Sequence, residues 1–264
     1  MPLLEARAVS KHFGGLRAVD KVDLRVERGE IVAVIGPNGA GKTTFFNCVT
    51  GFYEPTEGEI LWRDGAEKLT GLPADRVTAR GLCRTFQNIR LFGQMSVLEN
   101  VMVGRHCRSS ASVFGAIVRS RKVRDEEREI ERRALEKLTF VGLESRAHER
   151  ASSLPYGAQR RLEIARAMAS EPELLLLDEP AAGMNPSEKN DLVDLIKEIQ
   201  GLGITILVIE HDMRLVMRIS QRIYVLDYGV KIAEGPPDVV KNDPKVITAY
   251  LGVAKKDGAQ EAPA

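Results

Sequence analysis

Two periods of hydrophobicity run through the chain. Residues 2–9 and roughly 16–27 alternate apolar and polar positions, as Val22, Leu24 and Val26 illustrate, and this predicts two half-exposed strands. Elsewhere the apolar residues come in short unbroken runs: Ile31-Val32-Ala33-Val34-Ile35, Leu174-Leu175-Leu176-Leu177, Ile204 to Ile209, and Ile223-Tyr224-Val225-Leu226. Runs of this length suit strands buried on both faces of a parallel sheet. Glu59 to Trp62 and Leu82 to Phe86 read as further short strands, with a turn at Pro55-Thr56-Glu57-Gly58. Between them the spacing predicts helices: one over Pro73 to Arg80, one around Met213 to Ile219, and one opening at Pro186. For the last, Asn185, Pro186 and Glu188 fit the N-cap, N1 and N3 positions, and Leu192, Ile196 and Ile199 form the inward stripe.

The middle of the chain has a different character. Ser96-Val97-Leu98-Glu99 has the form of a capping box, with Leu98, Val101 and Met102 on the helical face that follows. A basic, weakly periodic stretch from Arg105 to Arg124 leads into a long charged helix whose apolar stripe is Ile130, Ala134, Leu138 and Val141. Its alternating charges fit a solvated face better than a nucleic-acid surface. Residues 88–168 therefore read as a wholly helical insert in an α/β frame. The expected architecture is α/β, with a mainly parallel central sheet, an N-terminal antiparallel β subdomain and an inserted helical subdomain. The expected boundaries are 1–87 with 169–252 for the core, 88–168 for the insert, and 253–264 for a disordered tail.

Composition narrows the function only by exclusion. The chain has 264 residues, 44% hydrophobic and 28% charged, with a formal net charge of +1, so nothing calls for nucleic acid or an acidic partner. Cys48, Cys83 and Cys107 lack C-x-x-C spacing and read as reduced thiols, and the four histidines form no metal-ligand pattern. The charged N-terminus lacks the apolar core of a signal peptide, and no apolar run approaches the roughly 20 residues that span a bilayer. Any membrane role is expected to act from the surface, through a partner.

Chemistry enters at the end of the first buried run. Gly36-Pro37-Asn38-Gly39-Ala40-Gly41-Lys42-Thr43-Thr44 matches G-x-x-x-x-G-K-[ST] between a strand and a helix. Gly36 and Gly41 let the backbone curl around a phosphate and aim amides inward, and the helix N-terminus adds partial positive charge. Lys42 would reach the β/γ-phosphates and the Thr43 hydroxyl a Mg²⁺ ion. A lone glycine-rich turn is commonly an ordinary loop. The four fixed positions should coincide by chance in only about one chain of this length in a hundred.

Leu177 is followed by Asp178-Glu179-Pro180. Alone, an acid pair at a strand end is more often a cap or a turn. Beside a phosphate loop it fits phosphoryl transfer to water, with one carboxylate on Mg²⁺ and the other on the attacking water. The segment Ser153-Leu154-Pro155-Tyr156-Gly157-Ala158-Gln159-Arg160 places a glycine turn at a helix start.

Together the phosphate loop, Gln87, this signature segment, Leu174 to Pro180 and His211 resemble the ATP-binding subunits of ABC transporters over residues 3–252. The phrase Arg84-Thr85-Phe86-Gln87-Asn88, the Tyr156-Gly157 signature and Ala181-Ala182-Gly183-Met184-Asn185-Pro186 are most similar to the ATPase subunits of bacterial high-affinity branched-chain amino-acid importers. The resemblance implies an ATPase with a P-loop fold, using ATP and Mg²⁺. In the family the adenine stacks on an aromatic matching Phe13, although a lone aromatic there is better read as closing a small β core. Gln87 would contact Mg²⁺ and the water, with Thr43 and Asp178 also on the metal. Glu179 would act on the water, and His211 would contact the γ-phosphate. Tyr156 and Gly157 at one subunit's signature helix would cap the ATP held by the other.

The implied partners are a second ATPase subunit, two transmembrane permease subunits and, indirectly, a periplasmic binding protein, with the chain peripheral on the cytoplasmic face of the inner membrane. Two departures stand out. Pro155 replaces the common signature serine, and Asn185 replaces an aspartate, which fits a heterodimer with unequal sites. Competing readings are an ATPase of lipopolysaccharide export and a soluble non-transport ABC ATPase.

Overall fold

The computed structural model describes residues 1–105 and 121–257. Most of the expected basic stretch, including Cys107, and the tail residues 258–264 lie outside the described residues.

The alternating N-terminal segments form β1 (Pro2–Phe13) and β2 (Leu16–Glu27), paired antiparallel. With β4 (Glu57–Trp62) and the two-residue β5 (Glu67–Lys68) they make a four-stranded sheet of order β2-β1-β4-β5. The unbroken apolar runs become β3 (Ile31–Ile35), β7 (Leu174–Asp178), β8 (Thr205–Ile209) and β9 (Arg222–Asp227). They join β6 (Leu82–Arg84) and β10 (Val230–Gly235) in a second sheet of order β10-β9-β3-β8-β7-β6, parallel except for the β10 hairpin.

Side chains alternate across this parallel sheet and so feed two cores. Val32, Val34, Leu174, Leu176 and Leu207 face a core shared with the antiparallel sheet and with Phe45 and Phe46 of α1 (Lys42–Val49). Ile31, Ala33, Ile35, Leu175, Leu177 and Val208 face the core on the other side, with the helices α3 (Val97–Arg105), α4 (Arg121–Phe140), α5 (Tyr156–Met168), α6 (Pro186–Gly201) and α7 (Met213–Ile219). The Tyr224 hydroxyl ties the sheets together, accepting from Arg25 N–H (3.0 Å) and donating to its carbonyl (3.1 Å). Cys48 and Cys83 are buried and outside any disulfide, Cys83 Sγ lies 2.7 Å from Ser170 Oγ, and burial pushes the Cys48 thiol up to about 11.

Several expectations need correction. Residues 88–96 are not helical, so the insert is not wholly helical. Buried Asn100 holds this loop, accepting from Phe92 N–H (2.9 Å) and donating to Phe92 and Ser96 carbonyls (3.1 and 2.9 Å). Ser96 and Glu99 then close the expected capping box (3.1 and 2.7 Å). The strand expected to reach Phe86 ends at Arg84, because Glu163 takes the Phe86 N–H (3.2 Å) and Arg160 its carbonyl (2.7 Å). Helix α2 (Ala74–Ala79) matches the Pro73 start. Beyond β9 the hairpin strand β10 leads to α8 (Pro237–Lys241) and α9 (Pro244–Asp257). The start of the expected tail, 253–257, is therefore helical.

Ala134 and Leu138 are fully buried where α4 meets the core, whereas Ile130 is only partly buried. Leu138→Ala is expected to cost about 2–5 kcal/mol, and Ile130→Ala less, measured as the shift in urea midpoint at constant m.

Candidate functional site

The site is assembled where the parallel strands end. From Ile35 the chain enters a turn whose conformation requires glycine at two points. Gly36 (φ +153°) and Gly41 (φ +94°) would, with a Cβ, place it 2.1 Å from the Leu226 carbonyl and 2.3 Å from that of Ala18. The loop is thus wedged between the end of β9 and the start of β2. A brace reinforces it: Gly229 N–H donates to Ala40 O (3.1 Å), and Asp20 N–H to Gly229 O (2.8 Å).

Gly41 is the N-cap of α1 without a side-chain hydrogen bond, so the first-turn amides are left for an anion. Lys42 lies back on the loop, its Nζ donating to Gly36 O (2.7 Å) and Pro37 O (2.8 Å). Burial holds its pKa below the usual lysine range, while the carboxylates of Glu179 and Asp178 work in the opposite direction. In front of the loop a cleft of about 460 Å³ is lined by Asn38 to Thr44, Leu16 to Ala18, Gln87, Glu179 and Tyr228.

The two acids at the end of β7 have different surroundings. Asp178 is buried and paired with Arg84 at 2.6 Å. Arg84 also donates to Asn47 Oδ1 (2.7 Å) and Thr50 Oγ1 (3.2 Å) of α1's surroundings and lies against the rings of Phe46, Phe52 and Phe86. Glu179 turns out of the strand with φ +46°, a conformation costly for a non-glycine residue, and its N–H is held by Ile209 O (2.9 Å). Its carboxylate enters the cleft, where it accepts from Gln87 Nε2 at 2.9 Å and lies 3.6 Å from His211 Nδ1.

A third acid, Glu210, was not singled out from the sequence. It is fully buried at the end of β8 and accepts amides from Ala181 (2.8 Å), His211 (3.0 Å) and Asp212 (3.3 Å). Burial raises its pKa, and those three amides pull it back down. It fixes the turn that follows Glu179 and the backbone of His211 together. An acid closing an apolar strand was the available signal.

The cleft thus collects the phosphate loop, Gln87 and Glu179, with His211 at its edge. Asp178 sits beneath it. Phe13 does not line it: its ring meets Tyr53 edge-on at 5.4 Å, with Lys11 over its face at 5.3 Å. Tyr156 and Gly157 do not line it either. Pro155 caps α5 without a side-chain hydrogen bond. The Tyr156 ring covers Gly183, and a Cβ on Gly157 would stand 2.5 Å from Glu188 Oε1.

The donors present suit a cation that arrives with its own oxygens. Among the described residues no group of three or more His, Cys, Asp or Glu could hold a metal by itself. Mg²⁺ commonly takes one or two protein ligands and completes its shell with phosphate and water. The Thr43 hydroxyl, the Gln87 amide and the acids at the end of β7 are a set of that kind.

A family model described as ABC transporter matches residues 19–182, and one described as branched-chain amino acid ATP-binding cassette transporter matches residues 230–256. The chain is 50% identical over 254 residues to the high-affinity branched-chain amino acid transport ATP-binding protein LivG of Escherichia coli, covering 96% of this chain and 99% of the relative. Among solved structures it is similar to an ATP-binding cassette of an ABC transporter in its ADP conformation, with TM-score 0.83, 32% identity and coverage of 96% and 99%. It is also similar to a dimeric cassette bound to ADP and Pi, with TM-score 0.74, 28% identity and coverage of 89% and 98%.

The pairing of Arg84 with Asp178 gives a test that does not depend on any ligand. Arg84→Ala leaves a buried carboxylate unpaired and is expected to cost about 3–5 kcal/mol in denaturant unfolding, with part of the loss recovered in the double variant Arg84→Ala/Asp178→Ala.

Proposed function

The chain belongs to the ABC transporter ATP-binding family, and from that footing we propose that it is the ATP-hydrolysing motor of an importer of branched-chain amino acids. It is an ATPase, converting ATP and water to ADP and phosphate. The observation that carries the reading is the meeting of phosphate loop, Gln87 and Glu179 in one cleft. The match over residues 230–256, which takes in β10, α8 and all but the last residue of α9, supports branched-chain amino-acid import over lipopolysaccharide export or a soluble ABC role.

In this reading Gly36 to Thr44 cradle the phosphates. Lys42 leaves the Gly36 and Pro37 carbonyls for the β/γ-phosphates, exchanging two neutral acceptors for charged ones. Thr43, Gln87 and Asp178 hold Mg²⁺, which supplies charge neutralisation at the phosphates when bound. Glu179 takes the proton of the attacking water, Gln87 fixes the orientation of its carboxylate, and His211 contacts the γ-phosphate. The adenine reaches past the cleft to the Phe13–Tyr53 pair.

Tyr156 and Gly157 serve the nucleotide of a second ATPase subunit, since they lie apart from this chain's own cleft. Pro155 offers neither hydroxyl nor N–H at that position, which supports a heterodimer with unequal sites. Among the described residues no helix is long and apolar enough to cross a membrane. Its likeness to importer ATP-binding subunits supports a place on the cytoplasmic face of the inner membrane, acting on two permease subunits fed by a periplasmic binding protein.

Lys42→Ala is expected to weaken ATP binding by at least about tenfold, or about 1.4 kcal/mol, by equilibrium titration; unchanged affinity would remove the cradle assignment. Glu179→Gln should bind ATP normally, lower kcat by roughly 10²–10⁴ and accumulate an ATP-held dimer on size exclusion. Near-normal turnover would move the water-activating role elsewhere. For the assignment as a whole, a mild-detergent pull-down should recover two permeases and a second ATPase, and the reconstituted assembly should accumulate labelled leucine in proteoliposomes only with ATP inside.

A further inference from the structure

Arg160 is fully buried in α5, yet two of its four hydrogen bonds leave the helix. Nη1 donates to Glu163 Oε2 and to Phe86 O, both at 2.7 Å. Nη2 donates to Gln87 O at 2.9 Å and to the Tyr156 hydroxyl at 3.3 Å. Glu163, equally buried, accepts the Phe86 N–H with its other oxygen at 3.2 Å. The peptide units of Phe86 and Gln87 are thus gripped from both sides by one ion pair on the signature helix. The same Gln87 donates its side-chain amide to Glu179 at 2.9 Å.

A buried ion pair is an expensive way to attach a helix to a loop. Removing two charges from water costs several kcal/mol per ion, and apolar residues of similar volume usually pack at least as stably. What the pair provides that apolar packing does not is register: the planar Arg160 fork fixes two successive carbonyls relative to α5. Burial raises the Glu163 pKa, with Arg160 and the Phe86 amide opposing that shift.

We propose that Arg160 and Glu163 are positioning residues, through which the place of the signature helix sets the place of Gln87 and, by way of Gln87, the carboxylate of Glu179. Tyr156, the first residue of α5, closes the chain at its far end, because its hydroxyl touches the Arg160 fork while its ring faces Gly183. A nucleotide of the second subunit arriving at Tyr156 thereby reports to the water-activating acid of this one. The proposal rests on the ATPase reading above and adds residues to it.

The test uses the full transporter in proteoliposomes, with three forms of this subunit: wild type, the double variant Arg160→Met/Glu163→Leu, and Arg160→Lys. Leucine with its binding protein is the stimulus, and kcat is expressed per nucleotide-binding site. The double variant should melt near the wild type and bind ATP within about twofold of it, while kcat falls at least tenfold and leucine no longer stimulates hydrolysis. Arg160→Lys keeps the charge but loses the fork, and should show the same split, with KM unchanged and kcat reduced. A knot that served stability alone would lower the melting temperature and leave kcat and stimulation intact; that result, in either folded variant, overturns the proposal. If the double variant does not fold, Arg160→Lys decides by the same criterion. Absence of hydrolysis in the wild type would instead strike the ATPase reading itself.

Discussion

A cation in a largely dehydrated turn sets the terms for the rest of the site. Lys42 has lost much of its water, which disfavours its charge, and it is compensated by two loop carbonyls and the field of Asp178 and Glu179. That arrangement requires the loop to present its carbonyls inward, which requires left-handed glycines. It also requires acids at the ends of neighbouring strands, close enough to act and separately held so that they do not collapse onto the lysine. Arg84 holds one of them and Gln87 the other. An anion with more charge than two carbonyls therefore enters a site already arranged for it.

Sheet register is what makes the acids neighbours. Val34 pairs with Ile209 and Asp178 pairs with Ile209, so the residues just past these positions, Gly36, Glu179 and Glu210, emerge at one edge. A slip by one residue would turn every side chain of the slipped strand to the opposite face. Here it would also exchange the two cores, since odd and even positions of β3, β7 and β8 belong to different ones. The hydrophobic alternation across the sheet thus enforces the catalytic edge as well as the fold.

What was legible in the sequence was whatever is contiguous. The phosphate loop, Asp178-Glu179 and the Asn185 cap are local patterns, and each lies where its spacing implied, with the capping box at Asn185 and Glu188 closed at 3.0 and 2.9 Å. The partners of those groups are distant in sequence and left no periodic trace. Arg84 meets Asp178 across the sheet, and Arg160 meets Phe86 and Gln87 across the insert. Residues 88–96 were misread as helix because nothing local marks Asn100 as a buried scaffold for a loop. Strand β10 went unseen for another reason: its residues are mostly half-buried with none fully buried, and the alternation Val230-Lys231-Ile232 is broken at Ala233, which leaves too short a pattern to mark a strand.

The separation of Tyr156 and Gly157 from the Lys42 cleft has a thermodynamic consequence. A ligand shifts a conformational equilibrium only by its difference in affinity for the two states. A nucleotide confined to one chain's cleft has no reason to prefer a closed dimer. One that also meets the signature helix of a second chain gains contacts only in the closed form, and moving a population from 1:99 to 99:1 takes about 5.5 kcal/mol of such preference. With two composite sites the requirement is shared, so each need supply only part. A proline that removes a hydroxyl and an N–H from one signature face subtracts roughly one or two hydrogen bonds, of the order of 1 kcal/mol each. In the dimer proposed above, that loss could be carried by the opposite site when the two are unequal, but in a symmetric pair it would be incurred twice, and this is the ground on which two different chains are proposed.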